Sequence, residues 1–150
     1  MADLPGAVLF VCNFNAVRSP MAEGLMKSLY GQQVFIDSVG VRPYEEPDSF
    51  MIAVMEEIGV DMSRHKPKTF DDLEDEAESY DLVITLSPEA HHRAIELTHY
   101  ASLDIEYWIT FDPTSTEGSR EVRLDAYRQV RDHLRQRIEE RFPKGSVSAI

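Results

Sequence analysis

Cys12 is the only cysteine among the 150 residues, and Arg18 follows it by six positions in the run Val11-Cys12-Asn13-Phe14-Asn15-Ala16-Val17-Arg18-Ser19-Pro20. A cysteine attacks as its thiolate, and a thiolate forms where the surroundings are positive. A bound oxyanion asks for the same surroundings: a guanidinium, and backbone N–H groups bending around it. One short stretch therefore holds a nucleophile and a seat for the anion it would attack. A free cysteine is otherwise a common core residue. Cys12 is set apart by its context, an apolar run before it and a helix-like segment after it.

Those flanks define the scaffold. Residues 7–11 form a continuous apolar run, the pattern of a strand buried on both faces. Pro20 stands near the start of the next helix, where a missing N–H costs little. Met21, Ala22, Leu25, Met26, Leu29 and Tyr30 recur at helical spacing, and Gly31 ends the run. A second strand is predicted over 34–39, then a helix through Met51, Val54, Met55 and Ile58 closed by Gly59. Residues 61–70 read as irregular and basic, Thr69 to Leu73 as a helix start, and the acidic stretch to Ser79 as exposed. A strand over 81–86 leads to a helix opened by Ser87-Pro88-Glu89. A weaker strand over 105–109 and a loop over 110–119 precede a long helix over 120–141. That helix buries Leu124, Tyr127, Val130, Leu134 and Ile138. The tail after residue 143 reads as frayed.

Strands alternating with helices predict one α/β domain over residues 1–150, a four-stranded parallel sheet flanked by helices in flavodoxin-like order. Ligands of such sheets bind beyond the carboxyl ends of the strands. Cys12, Ser38 or Gly40, Ser87 and Asp112 all fall at or just past predicted strand ends.

Composition narrows the function classes. A net charge of -12 argues against a broad nucleic-acid footprint. An anionic substrate must then be held by local groups, because the global field repels it. A single cysteine excludes an internal disulfide framework and a multi-thiolate zinc site, and it suits a reducing compartment. The five histidines show no ligand spacing, and His91-His92 reads as a surface or partly buried pair. No metal and no cofactor are expected. The segment Met1-Ala2-Asp3-Leu4-Pro5 carries no basic region, and the apolar run after it is too short to span a membrane. A cytoplasmic protein without membrane or nucleic-acid partners is the expectation.

The residues from Phe10 to Gly24 closely resemble the signature loop of low-molecular-weight protein tyrosine phosphatases and the related arsenate reductases, Val-Cys-x-x-Asn-x-x-Arg-Ser-Pro-x-Ala-Glu. Ser38-Val39-Gly40 stands where the family has Ser-Ala-Gly. Pro47-Asp48 through Gly59-Val60 has the spacing of the family's second helix. His65, the strand over 81–86 and Asp112-Pro113 follow in family order. The resemblance covers most of the chain and implies a phosphotyrosine phosphatase I-like fold.

The resemblance implies roles. Cys12 attacks phosphorus and becomes a cysteinyl phosphate. Arg18 makes paired hydrogen bonds to equatorial oxygens, which suits its planar fork. Backbone N–H groups of Asn13, Phe14, Asn15, Ala16, Val17 and Arg18 line the rest of the cradle. Ser19 donates its hydroxyl to the thiolate. Asn15 takes the left-handed bend that asparagine tolerates, supported by Ser38 from the neighbouring strand end. Asp112, otherwise an ordinary Asp-Pro turn residue, becomes the general acid and then the base for water. Tyr44 is expected at the pocket rim and Trp108 in the core. Lys66 and Lys68 either add positive potential near the pocket or belong to a solvated loop.

Three departures bear on substrate. Phe14 stands where the phosphatases have Gly, two residues after the nucleophile. Thr114 follows Asp-Pro where they place Tyr. Met55-Glu56-Glu57-Ile58-Gly59-Val60-Asp61, Trp108 and Val130-Arg131-Asp132 look more like the arsenate reductase branch. Thioredoxin-coupled reductases of that branch shuttle a disulfide through further cysteines, which this sequence lacks. The leading expectation is a protein-tyrosine-phosphatase-like hydrolase acting on a phosphorylated protein or small phosphomonoester, with phosphate or a similar oxyanion in the pocket. Its rivals are a single-cysteine arsenate reductase using an external thiol and a non-catalytic oxyanion- or phosphoprotein-binding module.

Overall fold

The computed structural model of the protein describes residues 4–73, 79–99 and 102–142. Most of the acidic stretch before Ser79, and the tail after 143, lie outside them. Strands β1 (Ala7–Cys12), β2 (Phe35–Gly40), β3 (Leu82–Thr85) and β4 (Asp104–Tyr107) form one sheet in the order β2-β1-β3-β4. All three pairings are parallel, and the last residue of β1, Cys12, stands opposite Gly40. Helices α1 (Arg18–Tyr30), α2 (Ser49–Glu56), α3 (Phe70–Leu73), α4 (Pro88–Ile95) and α5 (Arg120–Arg141) flank the sheet, with short 3-10 turns at Glu96–His99 and Pro113–Ser115.

Period-two alternation along β1 sends its side chains into two cores. Val8, Phe10 and Cys12 face α1, α2 and α5, among Met21, Leu25, Met51, Met55, Leu134 and Ile138. Leu9 and Val11 face the other layer, with Phe70, Val83, Ala90 and Ala94. Val8, Leu9, Phe10 and Val11 are fully buried. Each such side chain contributes about 1.5–3 kcal/mol relative to exposure. This double burial explains why β1 reads as an uninterrupted apolar run. It also makes β1 a rigid stem for Cys12.

The fourth strand is shorter than the sequence pattern suggests. Ladder pairing ends at Tyr107, although Trp108 N–H and Thr110 N–H still donate to Thr85 and Leu86 carbonyls at 2.8 and 3.2 Å. Trp108 and Thr110 are buried while Ile109 and Phe111 point to solvent, so alternation persists to the edge of the Asp112 turn. The long helix runs Arg120–Arg141 as its spacing predicts.

Helix starts differ in one respect that matters for the site. Asp48, Ser87 and Ser119 cap α2, α4 and α5 with side-chain oxygens. Val17 precedes α1 and offers no such cap, and the first turn of α1 holds no acidic residue. Of its first N–H groups, Ser19 N–H already points to Cys12 Sγ and Pro20 has none, so the positive end of α1 is directed at the thiol and its surroundings.

Candidate active site

The loop between β1 and α1 makes a tight bend. Asn15 sits at φ 59°, the only positive φ among the described non-glycine residues. That conformation costs most side chains about 1–2 kcal/mol, and asparagine tolerates it best. Its side chain is fully used in holding the bend. Nδ2 donates to Ser19 Oγ and to Ser38 Oγ, both at 2.8 Å. Oδ1 accepts from the Lys68 backbone N–H at 3.0 Å. His65 Nε2 approaches the Asn15 carbonyl to 2.9 Å, and since a carbonyl only accepts, Nε2 carries the proton.

Cys12 Sγ lies 2.9 Å from Ser19 Oγ and accepts from Ser19 N–H at 3.4 Å. Ser19 Oγ accepts from Asn15 and has two acceptors in reach for its own proton, the sulfur at 2.9 Å and the Val39 carbonyl at 3.4 Å. The chain of bonds continues behind the loop. Ser38 Oγ donates to Glu23 Oε1, and Lys27 Nζ pairs with Glu23 Oε2 at 2.6 Å. Asn13 turns its side chain away from the cavity, accepting from Ser87 Oγ at 2.6 Å.

Arg18 is nearly buried and is aimed by the segment after β4. Its Nη1 donates to the Thr110 carbonyl at 3.0 Å, and its Nη2 lies 3.9 Å from Asp112 Oδ2. Asp112 divides its two oxygens. Oδ1 accepts from Thr114 N–H and Oγ1 at 3.0 and 2.7 Å, which closes the 3-10 turn Pro113–Ser115. Oδ2 faces Arg18. The Asp-Pro turn thus holds one carboxylate oxygen and leaves the other turned toward Arg18.

Cys12, Phe14, Ala16, Val17, Arg18, Tyr44, Asp48, Asp112 and Thr114 line one cavity of about 250 Å³. Phe14 and Tyr44 meet at its mouth with ring centroids 5.5 Å apart. Trp108 packs against Phe10 in the core and is not in the lining. Lys68 Nζ is paired with Asp37 at 2.7 Å, and Lys66 is exposed; neither lines the cavity. His91 stacks on Tyr107 and contacts Thr85, with ring centroids 4.5 Å apart. Among the described residues no cluster of three or more His, Cys, Asp or Glu is arranged to hold a metal ion. No helix among them is long and apolar enough to cross a membrane.

Several participants carry no local signal. Glu23 sits inside the loop motif, but only the folded chain brings it under Ser38. Thr110 acts through a backbone carbonyl that any residue would supply. Asp48 is legible as a helix cap, whereas its place in the cavity depends on how α2 packs. Its Oδ2 accepts from Tyr127 on α5 at 2.9 Å. Burial first, then the Asp48 and Asp112 carboxylates, pushes the Tyr127 phenol above its ordinary range.

A cysteine and an arginine thus share a bent loop at the carboxyl end of a central parallel strand. The sequence model of the low molecular weight phosphotyrosine protein phosphatase family matches residues 7–144, and the chain belongs to that family. An arsenate reductase of Halalkalibacterium halodurans is 30% identical over 132 residues, covering 87% of this chain and 91% of its own. The structure of an arsenate reductase in the phosphate binding state is 29% identical with a TM-score of 0.70, covering 90% of this chain and 95% of that one. A low molecular weight protein tyrosine phosphatase from T. tengcongensis is 25% identical with a TM-score of 0.74, covering 90% and 96%. Phosphatases and arsenate reductases thus both stand among its relatives.

Proposed function

We propose that the protein hydrolyses phosphomonoesters, with phosphotyrosine as the substrate class. The observation that supports this reading is the convergence of Cys12, Arg18 and Asp112 on one cavity of about 250 Å³. The phosphoryl group rests on the loop N–H groups and the Arg18 fork, which meet the charge that develops on its equatorial oxygens. The Cys12 thiolate, with Ser19 donating to it, attacks phosphorus and forms an S–P bond. The P–O bond to the leaving group breaks, and Asp112 Oδ2 gives that oxygen its proton. Asp112, now a carboxylate, takes a proton from water as the water oxygen attacks phosphorus. The S–P bond breaks, which returns the thiolate and releases phosphate. Both steps run on side chains and water.

Replacing Cys12 by Ser is expected to abolish turnover of an aryl phosphate while inorganic phosphate still binds. Retained turnover sinks the reading. Phosphate binding by the wild type without turnover of any ester would instead mark a non-catalytic oxyanion-binding module.

A second reading, arsenate reduction, draws on the arsenate reductase relatives and on Thr114 in place of an aromatic residue. Arsenate needs two electrons to become arsenite. With Cys12 as the only thiol in the sequence, the other thiol has to come from outside. Arsenite production that depends on added glutathione, with negligible aryl phosphate hydrolysis, would favour this reading.

A further inference from the structure

The floor and the rim of the Cys12 cavity carry opposite signs. The floor is the uncapped start of α1 with the Arg18 guanidinium. Above it stand the Asp48 and Asp112 carboxylates with Phe14, Tyr44 and Thr114, and among the described residues Arg18 is the only basic one in the lining.

Proton transfer accounts for Asp112 but not for Asp48. Asp48 Oδ1 accepts from Phe50 N–H and Met51 N–H at 2.8 and 3.1 Å, and Oδ2 accepts from the Tyr127 hydroxyl at 2.9 Å. These neutral donors hold the carboxylate in place without cancelling its charge. Asp48 and Asp112 both act on the Tyr127 phenol, so both lie close to one hydroxyl, with Arg123 acting weakly in the opposite sense. Arg120 and Arg123 sit over the Phe50 ring, at 5.2 and 4.7 Å from its centroid, and not in the cavity lining.

At about 250 Å³ the cavity is smaller than an ordinary ligand pocket and suits a phosphate with one ring. The residues on either side of a phosphorylated tyrosine then rest on the rim. There Phe14 and Tyr44 are 42% and 55% exposed. Aromatic faces beside a carboxylate attract an ammonium or guanidinium group and repel a carboxylate.

Building on the phosphatase reading above, we propose that Asp48 and the Phe14–Tyr44 pair are a specificity element. They select phosphotyrosine peptides that carry lysine or arginine next to the phosphorylated residue.

The test compares kcat/KM for two phosphotyrosine peptides that differ only in flanking lysine or glutamate. The wild type is expected to favour the lysine peptide about tenfold at low salt, with the ratio shrinking as salt rises. Asp48→Asn keeps an oxygen for the helix cap and is expected to bring the ratio close to one. Asp125→Asn, the same charge change on the exposed side of α5, is expected to leave the ratio as in the wild type. Equal wild-type rates, a ratio untouched by Asp48→Asn, or equal losses in both variants would overturn the proposal. The wild-type comparison and its salt dependence decide the matter even if the Asp48 variant fails to fold. Inactivity of the wild type toward both peptides and toward p-nitrophenyl phosphate would overturn the phosphatase reading itself, and this proposal with it.

Discussion

Gly40 lies directly behind Asn15: a Cβ on Gly40 would stand 2.7 Å from the Asn15 backbone nitrogen and 2.6 Å from the Phe14 carbonyl carbon. At Gly40 the end of β2 and the bend of the loop thus meet backbone to backbone. Gly40→Ala must push the loop off its seat, because the opposing atoms are backbone and cannot rotate aside. We expect kcat/KM on an aryl phosphate to fall about 100-fold, the cost of a displacement on the order of 1 Å at a reacting group. Overpacking is expected to lower stability by about 1–3 kcal/mol. Steady-state kinetics with urea denaturation checks both, and an Ala variant with unchanged kinetics would show that the loop can give way.

Asn15 combines a backbone role with a side-chain role, and two substitutions separate them. Asn15→Ala loses the bonds to Ser19, Ser38 and Lys68 and keeps a Cβ at φ 59°. It is expected to cost about 2–4 kcal/mol, from lost hydrogen bonds and left-handed strain together. Asn15→Gly loses the same bonds but adopts the same backbone freely, so it should recover about 1 kcal/mol of that in urea denaturation. Equal losses in the two variants would remove the strain contribution.

Asp112 Oδ2 is the oxygen available for proton transfer, since Thr114 occupies Oδ1. Asp112→Ala is expected to slow hydrolysis of phenyl phosphate about 100- to 10,000-fold. p-Nitrophenyl phosphate, whose leaving oxygen needs less help from an acid, is expected to lose much less. An equal loss on the two esters would argue for a role in binding or loop structure instead.

Acid stability has an identifiable contributor away from the site. Arg128 hydrogen bonds hold the Glu57 carboxyl below its ordinary value of 4.5, desolvation opposes them, and Arg131 adds in the lowering direction. A depressed folded-state value means stability that is present above the unfolded value and lost as pH falls through the folded one. Glu57 therefore contributes fully above about pH 5 and loses that contribution below its ordinary value of 4.5. Glu57→Gln is expected to have a lower Tm at neutral pH and a smaller drop in Tm between pH 5 and pH 3, by about the contribution the wild type loses there. Parallel melting curves over that range would show that Glu57 is not a source of the acid sensitivity.

Much of this molecule is written locally. The apolar run of β1, the helical spacing from Met21 to Tyr30 and the long helix Arg120–Arg141 follow from periodicity, because burial on one face or on both repeats at the period of the element. Strand ends are less legible. The ladder of β4 ends at Tyr107, although buried and exposed residues alternate from Trp108 to Phe111 and single hydrogen bonds to Thr85 and Leu86 continue past it. The two aromatic residues fall where the sequence expectation puts them: Tyr44 reaches the cavity with Phe14, and Trp108 is enclosed beside Phe10.

By itself the sequence determined the chemistry within reach: one thiol, one arginine six positions on, and an asparagine able to take the bend between them. Those residues are close along the chain, so spacing and side-chain type suffice to bring them together. Only the tertiary structure decided that Asp112, Tyr44 and Asp48 line one cavity, with the Thr110 carbonyl aiming Arg18 into it. They come from segments distant in sequence and meet because parallel strands end on one side of the sheet, where their following loops must gather. The acidic, aromatic rim above a basic floor is a property of that gathering, and no single segment encodes it.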